Sequence, residues 1–144
     1  MLQIIETPID MHALYDAVRT DASGAVVVFL GVVRRRSDDD RDVSGLSYEA
    51  YGDLALAEMQ RIESEVRSRW NGCDLAMVHR VGDLAVGEPS VCVAVATAHR
   101  AEAFAACKYA IDELKNRVPI WKKEHYADGS ADWRENCKPG EVAH

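Results

Sequence analysis

The run AVVVFLGVV, Ala25–Val33, is almost continuously β-branched or apolar and stops abruptly at RRRSDDDRD, Arg34–Asp42. Its length and composition predict a buried strand. The charged segment behind it is too polar to pack and predicts an exposed, mobile loop. Beyond the loop, LSYEAY (Leu46–Tyr51) alternates apolar with polar residues. It reads as a second strand, antiparallel to the first if the loop closes a hairpin.

Outward from this pair the chain alternates strands with helices. Leu2–Thr7 reads as a first strand, and Asp10 as the N-cap of a helix over Met11–Arg19 with Leu14 and Val18 on one face. Asp53 opens a long helix to about Trp70, whose Ala55, Met59, Ile62, Val66 and Trp70 recur at helical spacing before Asn71-Gly72 ends it. Leu75–Val81 and Ser90–Ala98 are further strands, joined by a connection carrying Gly82, Gly87 and Pro89. Arg100–Arg117 is the second long helix, with Ala103, Cys107, Ala110, Ile111 and Leu114 along one face. Pro119 breaks it, Ile120–Tyr126 reads as a last strand, and Asp128-Gly129 as a turn. The mixed order predicts an α+β fold with a mainly antiparallel sheet and two long helices. With no internal repeat or linker, residues 1–144 read as one domain.

Composition narrows the function. The 144 residues suffice for a core without staples, and 48% hydrophobic with 28% charged residues describes a globular protein. A formal net charge of −7 argues against a general nucleic-acid binder. No apolar stretch is long enough to span a bilayer, and MLQIIETPID is unlike a secretory signal, so a cytoplasmic protein is expected with no membrane partner. Cys73, Cys92, Cys107 and Cys137 form no CxxC pair, and Cys92 and Cys107 sit within apolar patterns as small core residues. The histidines show no HxH or HExxH spacing and no dinucleotide or P-loop motif is present, so neither a metal nor an organic cofactor is expected.

Three segments place polar residues directly after a buried element, where a rigid support can position chemistry. His99 and Arg100 open a helix, whose first turn favours an anion; they are also what an ordinary polar helix start would show. In LKNRVPIWKKE (Leu114–Glu124), Lys115 ends the helix, where any cation is favourable. Lys122 and Lys123 must point to opposite faces of their strand, one with Ile120 and Glu124, the other with Trp121. A lysine directed into a pocket can act as acid, base or nucleophile; on an edge strand it can merely prevent aggregation. Finally Arg34 ends the buried strand beside the loop, while Arg35 and Arg36 are balanced by Asp38, Asp39 and Asp40.

Taken together, GAVVVFLGVVR (Gly24–Arg34), LSYEAY, HRVGDLAVGE (His79–Glu88), ATAHRAEAF (Ala96–Phe104), LKNRVPIWKKE and the trailing Trp133 run in order over nearly the whole chain. This pattern resembles the large, catalytic subunit family of molybdopterin synthase. The resemblance implies an α/β-hammerhead-like fold with an added antiparallel subdomain, and a homodimer within a heterotetramer. It implies a partner, a small ubiquitin-like sulfur carrier whose C-terminal Gly-Gly ends in a thiocarboxylate. The substrate implied is cyclic pyranopterin monophosphate, which receives two sulfurs to form the dithiolene of molybdopterin. By position, Lys122 is the implied catalytic residue and Lys115 its neighbour in the pocket. His99 and Arg100 hold the substrate phosphate, and Arg34 completes that anion site from across the dimer. Lys123 and Arg117 match the pattern without a catalytic role. The chain departs from its relatives in the loop after Arg34, which tends there to carry Asn and Gly and here reads Arg35–Arg41.

Three other functions fit parts of the pattern: a phosphohydrolase using His99, Arg100 and the lysines, a non-catalytic anion-binding or carrier-docking module, and a cysteine-dependent sulfurtransferase. The first requires turnover without a protein partner, the second indifference to loss of Lys122, and the third an essential thiol.

Overall fold

In a computed structural model of the chain, residues 1–135 are described; Cys137 and His144 lie outside them. The elements are β1 (Leu2–Ile5), α1 (Met11–Val18), β2 (Ala25–Val32), β3 (Val43–Ala50), α2 (Gly52–Arg69), β4 (Asp74–Arg80), β5 (Gly82–Ala85), β6 (Pro89–Thr97), α3 (Arg100–Arg117), β7 (Ile120–Tyr126) and β8 (Ala131–Glu135). The strands form two four-stranded sheets, ordered β1-β4-β6-β2 and β5-β3-β7-β8. Every pairing is antiparallel except β1 with β4. Among the described residues no helix is long and apolar enough to cross a membrane.

β6 is the axis of the first sheet, paired with β4 on one side and β2 on the other. Its side chains alternate between two packed faces, as strand geometry requires. Val91, Val93 and Val95 enter the main core with Leu75, Met77 and the inward residues of α2 and α3. Cys92, Ala94 and Ala96 meet Leu14 and Val18 of α1. Asp10 caps α1 by accepting from the amides of His12 at 3.0 Å and Ala13 at 3.3 Å. The anticipated helix faces are buried, Ala55, Met59, Ile62 and Val66 on α2 and Ala103, Cys107, Ala110, Ile111 and Leu114 on α3, except that Trp70 caps α2 and is half-buried. Arg117 ties the end of α3 to α2, with Nη1 2.7 Å from Glu65 Oε1 and Nη2 3.3 Å from Glu58 Oε2. Its guanidinium thus has a fastening function.

The α+β, mainly antiparallel architecture is the expected one, and several details are corrected. Among the described residues there are two additional short strands, β5 in the glycine-bearing connection and β8 after the Asp128-Gly129 turn. β2 and β3 do not form a hairpin between themselves, for they belong to different sheets. The chain leaves β2 through Val33, which pairs with the β5–β6 turn by Val33 N to Glu88 O at 3.0 Å, and then crosses to the second sheet. Pairing across the charged loop is confined to its own base, where Val43 N donates to Arg35 O at 2.6 Å and Ser37 N to Arg41 O at 3.0 Å. The loop is exposed as expected apart from Ser37 and Arg41, but it is tied down by specific contacts. Ser37 is buried, Arg41 stacks 3.5 Å above the Tyr126 ring and reaches Asp132 at 3.1 Å, and Arg134 holds Asp39 at 3.0 Å. A segment dense in both signs folds by pairing them, first internally and then with the β7–β8 hairpin.

β2 approaches the end of β6 so closely that only glycine fits at position 24. Gly24 N donates to Thr97 O at 2.9 Å, and a Cβ there would stand 2.1 Å from the Ala98 carbonyl oxygen. The obstacle is backbone, so the strands themselves must move. Gly24→Ala is expected to cost about 1–3 kcal/mol, read as a lower urea midpoint at unchanged slope.

Candidate active site

The parity of β7 decides which lysine faces inward. Tyr48, Lys122 and Arg134 form one row across β3, β7 and β8, and Ser47, Lys123 and Trp133 form the next. Lys122 points with Ile120 and Glu124, whereas the Lys123 ammonium lies 5.5 Å from the Trp133 ring centroid on the opposite face. The inward row borders a recess of about 640 Å³ lined by Asp38, Lys115, Asn116, Lys122, Glu124, Trp133 and Arg134. A smaller adjoining recess of about 170 Å³ shares Lys115, Lys122 and Glu124 and adds Arg34, Tyr48 and Ser90. Lys115 comes from the last turn of α3, so helix and sheet deliver one lysine each to the same space.

Burial pushes the Lys115 ammonium below its ordinary pKa, and the charge of Lys122 adds to the effect. Glu124 is buried, with Oε1 3.1 Å from Arg134 Nε, so its carboxylate has a cation of its own beside the lysines. Tyr48 is buried too, and desolvation raises its phenol. Edge-on to its ring, at 5.0 Å between centroids, lies the imidazole of His79, which is fully buried. His79 Nδ1 is 2.8 Å from the Arg80 carbonyl and must be the protonated nitrogen, which leaves Nε2 a bare acceptor without a partner among the described residues. Burial foremost, and the nearby Lys115 charge, lower its pKa to about 4 against the Arg80 bond.

The anticipated residues do not all meet within one chain. Arg34 joins Lys115 and Lys122, its Nη2 paired with Asp38 Oδ1 at 2.7 Å. His99 and Arg100 stand exposed at the other end of α3, where His99 holds the N-cap position without a side-chain capping bond. Arg100 and Lys115 are fifteen positions apart on that helix, about 22 Å along its axis. Strand alternation put Glu124 on one face with Ile120, but neither Glu124 nor Tyr48 carried a suggested role. Arg134 gave no signal, because its placement depends on β8, and Asp38, expected with Asp39 to balance Arg35 and Arg36, instead pairs with Arg34, while Asp39 pairs with Arg134. Of the cysteines described, Cys73, Cys92 and Cys107 are buried and free, and burial pushes each thiol up to about 11.

Residues 4–117 match the family described as MoaE protein. The molybdopterin synthase catalytic subunit of Nostoc sp. is 48% identical over 125 residues, which cover 86% of this chain and 73% of that protein. The crystal structure of molybdopterin synthase from Staphylococcus aureus superposes with a TM-score of 0.86 at 36% identity, covering 91% of this chain and 94% of the other. A protein–protein complex of subunits 1 and 2 of molybdopterin-converting factor from Helicobacter pylori 26695 contains a chain with a TM-score of 0.74 at 26% identity, covering 92% and 88%.

The neutral burial of His79 has a measurable signature. From its ordinary value of 6.5 down to about 4, the unfolded chain takes up a proton that the native protein refuses. Stability therefore falls as pH falls through that window, by roughly 3 kcal/mol in all. Urea unfolding between about pH 7 and pH 4.5 is expected to show this loss, and His79→Gln to show a shallower one. Parallel slopes for the two proteins would remove His79 as the cause.

Proposed function

The chain belongs to the MoaE protein family, and from that membership we propose that it catalyses the sulfur-transferring step of molybdopterin synthesis. It accepts sulfur from the Gly-Gly thiocarboxylate of a small ubiquitin-like carrier and places it on cyclic pyranopterin monophosphate. The observation that carries this reading is the convergence of Lys115 and Lys122, from a helix and a strand, in one recess open to solvent. In each transfer a carbon–sulfur bond forms to the substrate as a carbon–oxygen bond on that carbon breaks, and the carrier's carbonyl–sulfur bond breaks. The displaced oxygen leaves as water in one round and stays on the opened phosphate in the other. Water supplies the oxygen that returns the tail to a carboxylate. Lys122 presents its ammonium to the anionic tail and to charge developing on the substrate. Lys115, with its lowered pKa, is the group suited to exchange a proton. The described cysteines, buried and protonated, are poor candidates for carrying sulfur, which fits delivery by a partner. The H. pylori complex of two subunits supports such a partner. Reduced cysteines also suit action in the cytoplasm.

The 22 Å between Arg100 and Lys115 is bridged in this reading by a second copy of the chain. Among the described residues β2 has β6 on one side and an open edge on the other, with Val28 and Val32 exposed along it and Phe104 exposed on the helix that covers it. Such an edge invites pairing. An antiparallel pairing of two β2 edges about a two-fold axis sets the Ala25 end of one copy beside the Val32 end of the other. Since Ala25 lies opposite Thr97, this carries His99 and Arg100 of the second copy toward Arg34, Lys115 and Lys122. Substrate phosphate then meets cations from both chains, and two carriers complete a heterotetramer.

Reconstitution with thiocarboxylated carrier and cyclic pyranopterin monophosphate, followed by fluorescence of oxidised molybdopterin, tests the chemistry. Lys122→Ala is expected to lower the rate by about a hundredfold or more with unchanged thermal unfolding; near-normal turnover would overturn the assignment. Mixing tests the shared site. Lys122→Ala and Arg100→Ala chains, each impaired alone, are expected to recover about a quarter of wild-type activity when unfolded and refolded together, because one site of each mixed dimer is intact. No recovery would mean that each chain builds its site alone.

A further inference from the structure

Arg34 does not face the recess unoccupied. Its guanidinium donates to the Asp38 carboxylate at 2.7 Å, and Asp38 lines the same recess as Lys115 and Lys122. The backbone that carries Asp38 is anchored on both sides: Ser37 through its bonds with Arg41, Asp39 through Arg134, and Arg41 through Tyr126 and Asp132. The Asp38 side chain takes no part in that anchorage. Among the described residues Arg34 is its one hydrogen-bond partner, and 94% of the side chain is exposed. It can therefore swing away without undoing the loop. Arg34 foremost, then Lys122 and Arg134, hold its carboxyl below the usual carboxylate range, so it carries its charge at neutral pH.

An aspartate side chain ends in a methylene and a carboxylate, the same group that ends a chain in glycine. We propose that Asp38 is a built-in occupant of the anion seat formed by Arg34, Lys115 and Lys122, displaced when a substrate anion arrives. The proposal rests on the reading of the recess as an anion site. Two anions share the required chemistry, the terminal carboxylate of a glycine tail and a phosphate. Asp38 sets how tightly either is held and helps return the seat to its resting state once a spent tail is to leave. An exposed pair of this kind shifts affinity modestly, which suits a gate that must open in every cycle.

Calorimetric titration of the full chain tests it. The probes are a synthetic peptide ending in Gly-Gly with a free carboxylate, the same peptide as its amide, and inorganic phosphate. Asp38→Asn keeps the shape and removes the charge, and is expected to bind the carboxylate peptide about two- to fivefold tighter with no gain for the amide. Asp16→Asn, on α1 beside Arg19 and remote from the recess, changes net charge equally and is expected to leave affinity unchanged. A gain confined to phosphate would support the gate and assign the seat to the substrate. If Asp38→Asn binds both anions as the wild type does, while Lys122→Ala weakens them, the gate is overturned and the recess stands. If no protein binds either anion, both are overturned.

Discussion

β6 is buried along nearly its whole length on both faces, and its alternation of valines with small residues governs how everything else can sit. The valine face is wide enough to share a core with two long helices and, beyond them, with Leu46, Tyr48 and Ile120 of the second sheet. On the other face Cys92, Ala94 and Ala96 leave room for one short helix at close range. Widening that face would lift α1 off the sheet, and narrowing the other would leave a void under α3. β6 also ends where α3 begins. A strand that cannot shift thereby fixes the start of a helix, and the helix, clasped to α2 through Arg117, fixes Lys115 at its far end. Pro119 then turns the chain directly into β7, and Lys122 follows.

The electrostatic arrangement has the same economy of parts. A chain of net charge −7 collects Arg34, Lys115, Lys122 and Arg134 around two adjoining recesses that share the lysines. Like charges so gathered need compensation, and two carboxylates provide it in different ways. Glu124 is buried and belongs to the sheet, so its charge is a fixed part of the wall. Asp38 is exposed and belongs to the loop, so its charge is removable. A recess with one permanent and one dispensable counter-charge stays folded when empty and still has positive potential to offer.

Much of this was legible in the sequence. The long helices and their buried faces follow from spacing, and so does the rule that Lys122 and Lys123 diverge. Which of them turns inward needed the register with Tyr48, which no local pattern contains. β5 and β8 were missed because Gly82–Ala85 and Ala131–Glu135 are short and carry no β-branched run, and become strands only by pairing with β3 and β7. The split into two sheets was hidden for a related reason: the loop between β2 and β3 looks like a hairpin connection, and its length says nothing of which edge each strand will find. The folding of the charged loop was not legible because composition records how many charges are present, not that Asp39 and Arg41 have partners on a strand far along the chain.

The three buried thiols acquire a different meaning in a protein whose work is with sulfur. Exchange between sulfur species proceeds through the thiolate, and Cys73, Cys92 and Cys107 are held as thiols by their surroundings. Each is packed in the core, as a small apolar filler between helix and sheet. A reactive sulfur atom passing through the recess therefore finds no competing acceptor among them. The interior keeps its own sulfur chemically silent, and the fold acts as an insulator between two pools of the same element.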